Sequence, residues 1–399
     1  MKTQLRLPFY LAWQYIRRGR KWTFFLTLFM MSVAFINLIF VSSLFAGIID
    51  GTNKQIINTM TGNFYITPND GQDYVTNKNH AVELLTNLDD VVGASARTQV
   101  PARMTYKNIR GSWQILAVDP NNEKRVSNVA DKMIAGSFLE PDDLDQIIIG
   151  RQIAGGEGVE ENAFSFKGAQ VGDKVTLTFD GFSKEFTIKG IFATKFVEAD
   201  NRAFISANAL SALIPATNNV ATTIAVKTDK TVDSNFIDKI SALNIDGKVY
   251  SWQEAAGLMK SVAESFKSIN ALVSIVGILI AAITIFIIIY VDIVNKRKQI
   301  GILRAIGIKS YIIIFSYVIL AAVYAVAGVI LGTALFFAAI VPYFQAHPFV
   351  LPICDAVLVL SKLDYIARAE AIMWVSVISG LIPAALTTRT KILDAILGR

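Results

Sequence analysis

The side chains that most often carry enzyme chemistry are scarce in this sequence and do not gather. The 399 residues hold two histidines, His80 and His347, and one cysteine, Cys354. A zinc site normally needs three or four nitrogen or sulfur ligands and a disulfide needs two cysteines, so neither a metal centre nor an internal disulfide is expected. No H-E-x-x-H, C-x-x-C, G-x-S-x-G or G-x-x-x-x-G-K-[ST] pattern occurs, and GAQVGDK (Gly168 to Lys174) has the wrong spacing to cradle phosphates. The acid pairs Asp142-Asp143 and Glu160-Glu161 read as solvated loop charges, because general acid–base work needs carboxylates in a pocket. A non-catalytic chain without a cofactor of its own is the expectation.

The densest pattern lies at NKRKQIGILRAIGIKS (Asn295 to Ser310). Lys296, Arg297, Lys298, Arg304 and Lys309 alternate there with Ile300, Ile302, Leu303, Ile306 and Ile308. Gln299 and Ala305 fall between them, and Gly301 and Gly307 bracket the run. That is too apolar for a solvated turn. A short helix here would lie in a membrane interface, its bases toward lipid phosphate and an apolar knob left to dock into a cytoplasmic protein. The alternative is a purely lipid-facing amphipathic turn, although interfacial helices usually anchor through Trp or Phe and this run has neither.

The elements that must hold this loop are apolar. Hydrophobic residues make up 53% of the chain and charged ones 18%, more apolar surface than a soluble fold needs. Thr23 to Ile49, Leu272 to Val291, Tyr311 to Val341 and Ala371 to Leu386 contain no ionised residue. Four spans follow, the first too long for a signal peptide. The last has only 16 residues and contains Pro383, leaving a half-inserted helix as an alternative. Residues 1–22 carry six bases and no acid, and 292–310 five bases against Asp292, which places both in the cytoplasm. The formal charge of +6 divides into −5 over residues 51–265 and +11 elsewhere, so the basicity is topological and a nucleic-acid partner is excluded. No ionised residue inside the four windows also disfavours an ion-coupled pathway.

The chain therefore divides into a basic in-plane helix (1–22), a first span (23–49), a stalk (50–60), a large outer domain, a second stalk (251–270), a second span (271–291) and a cytoplasmic loop helix (292–310). A third span (311–341), an extracytoplasmic segment (342–369), a fourth span (370–386) and a cytoplasmic tail (387–399) complete it. In the outer domain, residues 61–120 and 219–250 each read strand–helix–strand, which a split ferredoxin-like, porter-like lobe requires. The insertion 121–218 holds a hairpin signal at Asp180-Gly181 and reads as a β-rich lobe. The fold class is an α-helical membrane protein with four transmembrane helices and a large α+β extracytoplasmic domain. Apolar stripes at Ile48, Ile49, Ile56, Ile57 and Met60, and at Trp252, Ala255, Leu258, Met259, Val262, Phe266 and Ile269, suggest helical stalks running into the spans; core helices of the outer domain are the alternative. Asn37 is the one strong amide of the first span, suited to bonding between helices. Gly328 and Gly332 form a G-x-x-x-G that serves packing within the chain or a dimer.

RKQIGILRAIG (Arg297 to Gly307) between two spans, one long outer domain after the first span, and IPAALTTRTKILDAILG (Ile382 to Gly398) resemble the permease subunits of type VII ABC transporters, with their macrolide-exporter, lipoprotein-releasing and FtsX-type members. The likeness covers the whole chain in order, and LAWQYIRRGRKWTFFLT (Leu11 to Thr27) is similar to the family's basic in-plane helix. It departs where Gln299 replaces the usual acid and Leu393 the usual Pro. The resemblance implies a coupling helix over Arg297, Gln299, Ile300, Gly301, Ile302, Leu303, Arg304, Ala305 and Gly307 seated on a separate cytoplasmic ATPase subunit, which carries ATP and Mg. It also implies two permease copies, as a homo- or heterodimer, surrounding lipid, possible extracytoplasmic partner proteins, and the plasma (inner) membrane of a prokaryote, with both termini cytoplasmic. The expected function is mechanotransmission for export or extraction of a lipidic, lipoprotein, peptide or drug substrate. An FtsX-like regulator of an extracytoplasmic enzyme and a membrane sensor without an ATPase are the rivals.

Overall fold

Long runs of Ile, Leu, Phe and Ala leave one economical solution in hydrocarbon, the α-helix, whose backbone groups bond within the segment. The computed structural model describes residues 2–18, 21–156, 159, 164–179, 181–229, 234–255, 257–351 and 354–388. Among them, four helices are long and apolar enough to cross a membrane: Lys21–Thr61, Glu264–Asn295, Ser310–Ala346 and Lys362–Leu386. Leu272, Ile275, Leu279, Ile283, Trp374 and Ile378 on their outer faces are all more than half exposed, a surface that lipid covers and water would not tolerate. By contact the chain forms two units, one of residues 1–49, 263–349 and 356–399 and one of residues 50–262 and 350–355.

The first unit is the helical bundle. Its core runs through Met31, Phe35, Ile285, Ile289, Ile313, Tyr317, Ala321 and Ile372. A Cβ at Gly328 would lie 2.6 Å from the Met31 Cβ, and one at Gly332 3.1 Å from the Phe35 Cδ1. The G-x-x-x-G of the third span thus receives the first span of the same chain. The fourth span is longer than the sequence suggests, because its helix, Lys362–Thr388, begins eight residues before the expected start at 370. Residues 362–369, assigned to the extracytoplasmic segment, are its first two turns. Lys362, Asp364, Arg368 and Glu370 hide them from a search for apolar windows. At 27 residues the helix reaches about 40 Å, enough to span.

The second unit is built on a ten-stranded mixed sheet. Strands Phe64–Thr67, Val91–Tyr106, Thr223–Thr228 and Lys248–Ser251 lie in the order fourth, first, third, second, all antiparallel. With helices Lys78–Thr86 and Ser234–Ser241 over a core of Phe64, Ile66, Leu85, Val226 and Ile240, this is the split ferredoxin-like arrangement. The β-rich lobe is a closed barrel. Val91–Tyr106 pairs with Ile109–Val118, then in turn with Arg202–Ser206, Gln146–Gly150, Phe182–Phe192 and Lys174–Phe179, and the last returns to Val91–Tyr106 through Arg103↔Thr178. Met104, Ile115, Ile147, Leu177, Phe186 and Ile205 fill its interior.

The sheet does not divide at residue 120, where the sequence reading separates the lobes. The hairpin 91–118 is long enough for its first half to serve the ferredoxin-like layer and its second half the barrel. Of the expected Asp180-Gly181 turn, Gly181 precedes barrel strand Phe182–Phe192 at φ +81°, a left-handed position that suits glycine, and Asp180 lies outside the described residues. Asp143 departs from its reading as a solvated loop charge. Its carboxylate accepts from Lys189 Nζ at 2.6 Å and from the Glu140 amide at 2.7 Å, closing the turn before strand Gln146–Gly150. Glu160 and Glu161 lie outside the described residues.

The stalks also differ from expectation. The helix of the first span, Lys21–Ile56, ends in a π turn at Ile57–Thr61. Ile56 is buried with Phe196 and Ala199, and Met60 and Trp252 pack against them. Trp252 belongs to its own short helix, Trp252–Ala255, and the long helix begins at Gly257. These residues are part of a core within the second unit, because their apolar side chains meet the Phe196 turn instead of standing free. Phe266 stacks near Phe45 at 5.5 Å between ring centres. The side chains of Leu258, Met259 and Val262, and the tail from 389 on, lie outside the described residues.

Candidate functional site

The loop between the second and third spans folds as the helix Arg297–Ala305. Its entry is clamped. Lys296 Nζ donates to Asp292 Oδ2 at 2.8 Å and sits 4.3 Å from the centre of the Tyr15 ring, which stacks on Tyr317 at 5.2 Å. Its exit is capped. Gly307 takes φ +97°, its amide donates to the Arg304 carbonyl at 3.1 Å, and the Ile308 amide donates to the Leu303 carbonyl at 3.0 Å, the paired bonds of a Schellman motif.

Helix geometry sorts the side chains. Ile300 and Gly301 are buried, and Leu303 and Ile308 pack against the bundle core. Lys298, Gln299, Ala305 and Gly307 are exposed, as are Ile302 at 47% and Ile306 at 70%. The apolar knob expected of this loop has to come from the exposed side. Adjacent helical residues diverge by about 100° while i and i+4 share a face, so the outward apolar pair is Ile302 and Ile306. Arg297 and Arg304 are half-buried. The helix Lys2–Arg18 packs through Ala12, Tyr15 and Ile16 and leaves Phe9, Tyr10 and Trp13 about 60% exposed, aromatic anchors of the kind an interface takes up.

Two features escaped the sequence reading. Arg368 enters the bundle on the early turns of the fourth helix. One guanidinium nitrogen donates to Ser274 Oγ at 2.9 Å and another to Ser42 Oγ. It borders a cavity of about 190 Å³ with Leu38, Ile278, Asp364 and Ala371. In the second unit, Glu123 is fully buried and accepts from Arg97 Nε at 3.0 Å, Arg97 Nη2 at 2.7 Å and Ser95 Oγ at 2.7 Å, while Arg97 Nη1 donates to the Met60 carbonyl. A buried carboxylate and guanidinium are tolerated because each is fully bonded. No spacing signal joins residues so far apart in sequence.

Residues 24–243 match the MacB-like periplasmic core domain and residues 271–392 the FtsX-like permease C-terminal domain. The chain belongs to the MacB- and FtsX-like permease family of type VII ABC transporters. The outer domain is also similar to two solved structures. One is the periplasmic region of MacB from Actinobacillus actinomycetemcomitans, at 12% identity and TM-score 0.37, covering 51% of this chain and 95% of that one. The other is the extracellular domain of the noncanonic ABC-type transporter YknZ from Gram-positive bacteria, at 12% identity and TM-score 0.34, covering 47% and 97%. The permease is an inner-membrane protein with a large extracytoplasmic domain, and its helix Arg297–Ala305 falls within the FtsX-like part.

Proposed function

We propose that this permease couples ATP hydrolysis on a separate cytoplasmic ATPase to movement of its extracytoplasmic domain, with Arg297–Ala305 as the coupling helix. The observation that carries the reading is the exposed pair Ile302 and Ile306 on a helix fixed at both ends. Apolar side chains flanked by Lys298 and Lys309 suit a protein socket beside a lipid surface. The clamp at Lys296 and the Schellman turn at Gly307 make the helix a solid handle on the second and third spans, so a push on it is a push on them. ATP and Mg belong to the partner. The N-terminus, this helix and the C-terminal tail face the cytoplasm by their bases.

A second permease copy completes the bundle. Asn37 is exposed on the first span and has no hydrogen bond among the described residues, and lipid offers its amide no partner. The substrate class is lipidic, lipoprotein, peptide or drug, moved by the outer domain and not through a polar path between the spans. Purification of the full chain from its native membrane tests the reading. A stoichiometric nucleotide-binding protein with vanadate-sensitive ATPase activity is expected in the eluate, and a chain that purifies alone under mild detergent would refute the coupling.

A further inference from the structure

A groove of about 1000 Å³ runs along the outer wall of the barrel, within the second unit. We propose that it binds a phosphate-bearing amphiphile, with Arg151 and Arg202 holding the phosphate and the Trp113–Phe164 stack holding the apolar part. Arg202 is partly buried at the start of strand Arg202–Ser206; its side chain makes no hydrogen bond or close ion pair among the described residues, with Glu198 and Glu123 the opposite charges that act on it. Its neighbour Arg97 cannot share Glu123, which is fully engaged. Burial, first, and then the Arg97 charge pull the Arg202 guanidinium down to about 10. Arg151, on the turn after strand Gln146–Gly150, makes no side-chain hydrogen bond or close ion pair among the described residues, and its charge acts on Asp200. Two guanidiniums in one lining, neither held by a side-chain hydrogen bond or close ion pair among the described residues, match the acceptor-rich, bidentate geometry of a phosphate.

The other charges of the groove are mostly spent. Lys195 Nζ binds Asp355 Oδ2 at 2.6 Å. Asp200 accepts from the Thr194 amide at 2.8 Å and the Thr194 hydroxyl at 2.7 Å. The lining sets Arg151, Lys195 and Arg202 against Glu198 and Asp200, a formal balance of one positive charge. The apolar wall shows that a bare anion is not the whole ligand. Phe164, 60% exposed, stacks at 5.4 Å on Trp113, which is itself buried against the barrel core, and Val350 of the same lining is 73% exposed. A peptide is disfavoured, since strand Arg202–Ser206 is paired on both sides and offers no edge for main-chain bonding.

The groove also touches the end of the helix of the first span. Phe196 and Ala199, on the turn that carries Glu198 into the groove, pack on Ile56, and Gln55 Nε2 donates to the Thr194 carbonyl at 3.0 Å. A ligand drawn onto Arg202 thus presses on the turn that holds Gln55 and Ile56. The site stands on its own geometry and does not depend on ATP coupling.

Binding to the purified full chain in detergent tests it, read by calorimetry with dihexanoyl phosphatidic acid, dihexanoylglycerol and inorganic phosphate. Phosphatidic acid is expected to bind at least about tenfold more tightly than inorganic phosphate, and dihexanoylglycerol not measurably. Arg202→Gln and Arg151→Gln should each weaken phosphatidic acid about tenfold or more, Arg202→Lys less, and Phe164→Ala should weaken phosphatidic acid while sparing phosphate. If Arg202→Gln melts early, Arg151→Gln decides alone. Absent binding, equal affinity for inorganic phosphate, or phosphatidic acid binding unchanged in the arginine variants would each overturn the proposal.

Discussion

Arg97 and Glu123 connect the turn after the helix of the first span to the strand Val91–Tyr106, since one guanidinium nitrogen reaches the Met60 carbonyl while the others grip the carboxylate. Glu123→Gln keeps the shape and removes the charge, leaving a buried guanidinium uncompensated at a cost of about 3–5 kcal/mol. Thermal unfolding should show that loss in the extracytoplasmic unit, whereas an unchanged melt would mean that water reaches Arg97. Asp200 gives a pH dependence. Burial raises its carboxyl above the ordinary 3.8, against the opposing Thr194 bonds and Arg151 charge. A folded value above the unfolded one contributes stability that is complete below the unfolded value and is lost as pH rises through the folded value. Unfolding free energy should therefore fall as pH climbs from about 3.8, and Asp200→Asn should flatten that part of the curve. Denaturant midpoints across a pH series read the difference, and identical slopes would assign the effect to another group.

At the scale of elements, Arg297–Ala305 is decided by its faces. Ile302→Asp with Ile306→Asp puts two charges on the exposed side and should abolish stimulation of the partner ATPase with insertion and expression unchanged, because an unpaired charge in an apolar socket costs several kcal/mol. Leu303→Asp should instead reduce the amount of folded protein, since Leu303 packs on the bundle. Full stimulation in the double variant would leave a lipid-facing turn in place of a docking helix. The period of Arg297 to Gly307 made this helix legible in the sequence, but alternating bases and isoleucines do not reveal which of two neighbours, Ile302 or Leu303, meets the bundle. Local pairings were equally legible, as at the Gly181 hairpin. The barrel closes through Arg103↔Thr178 and Gln114↔Arg202, contacts between distant segments that no periodicity encodes. The same distance hid the groove, whose arginines and rings come from segments far apart in sequence, and Arg368 was masked by the charges that lowered the hydropathy of its own helix.

At the scale of the whole molecule, the net charge of −5 over residues 51–265 falls on the extracytoplasmic domain and the remaining +11 on the part that carries the spans. The membrane-proximal residues then decide how the domain is bounded. If 50–60 and 251–262 were free-standing rods, a fragment of residues 61–250 would keep every core contact. Ile56, Met60 and Trp252 around Phe196 and Ala199, the Met60 carbonyl on Arg97 and the Gln55 bond to Thr194 place the end of the first segment and the start of the second inside the fold. Both fragments should be soluble, because the ferredoxin-like layer and the barrel have separate cores. Removing one fully buried and two partly buried apolar side chains costs roughly 3–5 kcal/mol at about 1.5–3 kcal/mol for full burial. For a domain near 200 residues that is a drop of about 10 °C or more in Tm. Residues 50–262 should therefore outlast 61–250 by that margin when both are melted under circular dichroism. Coincident melts would show that the two segments stand free of the domain and act as stalks after all.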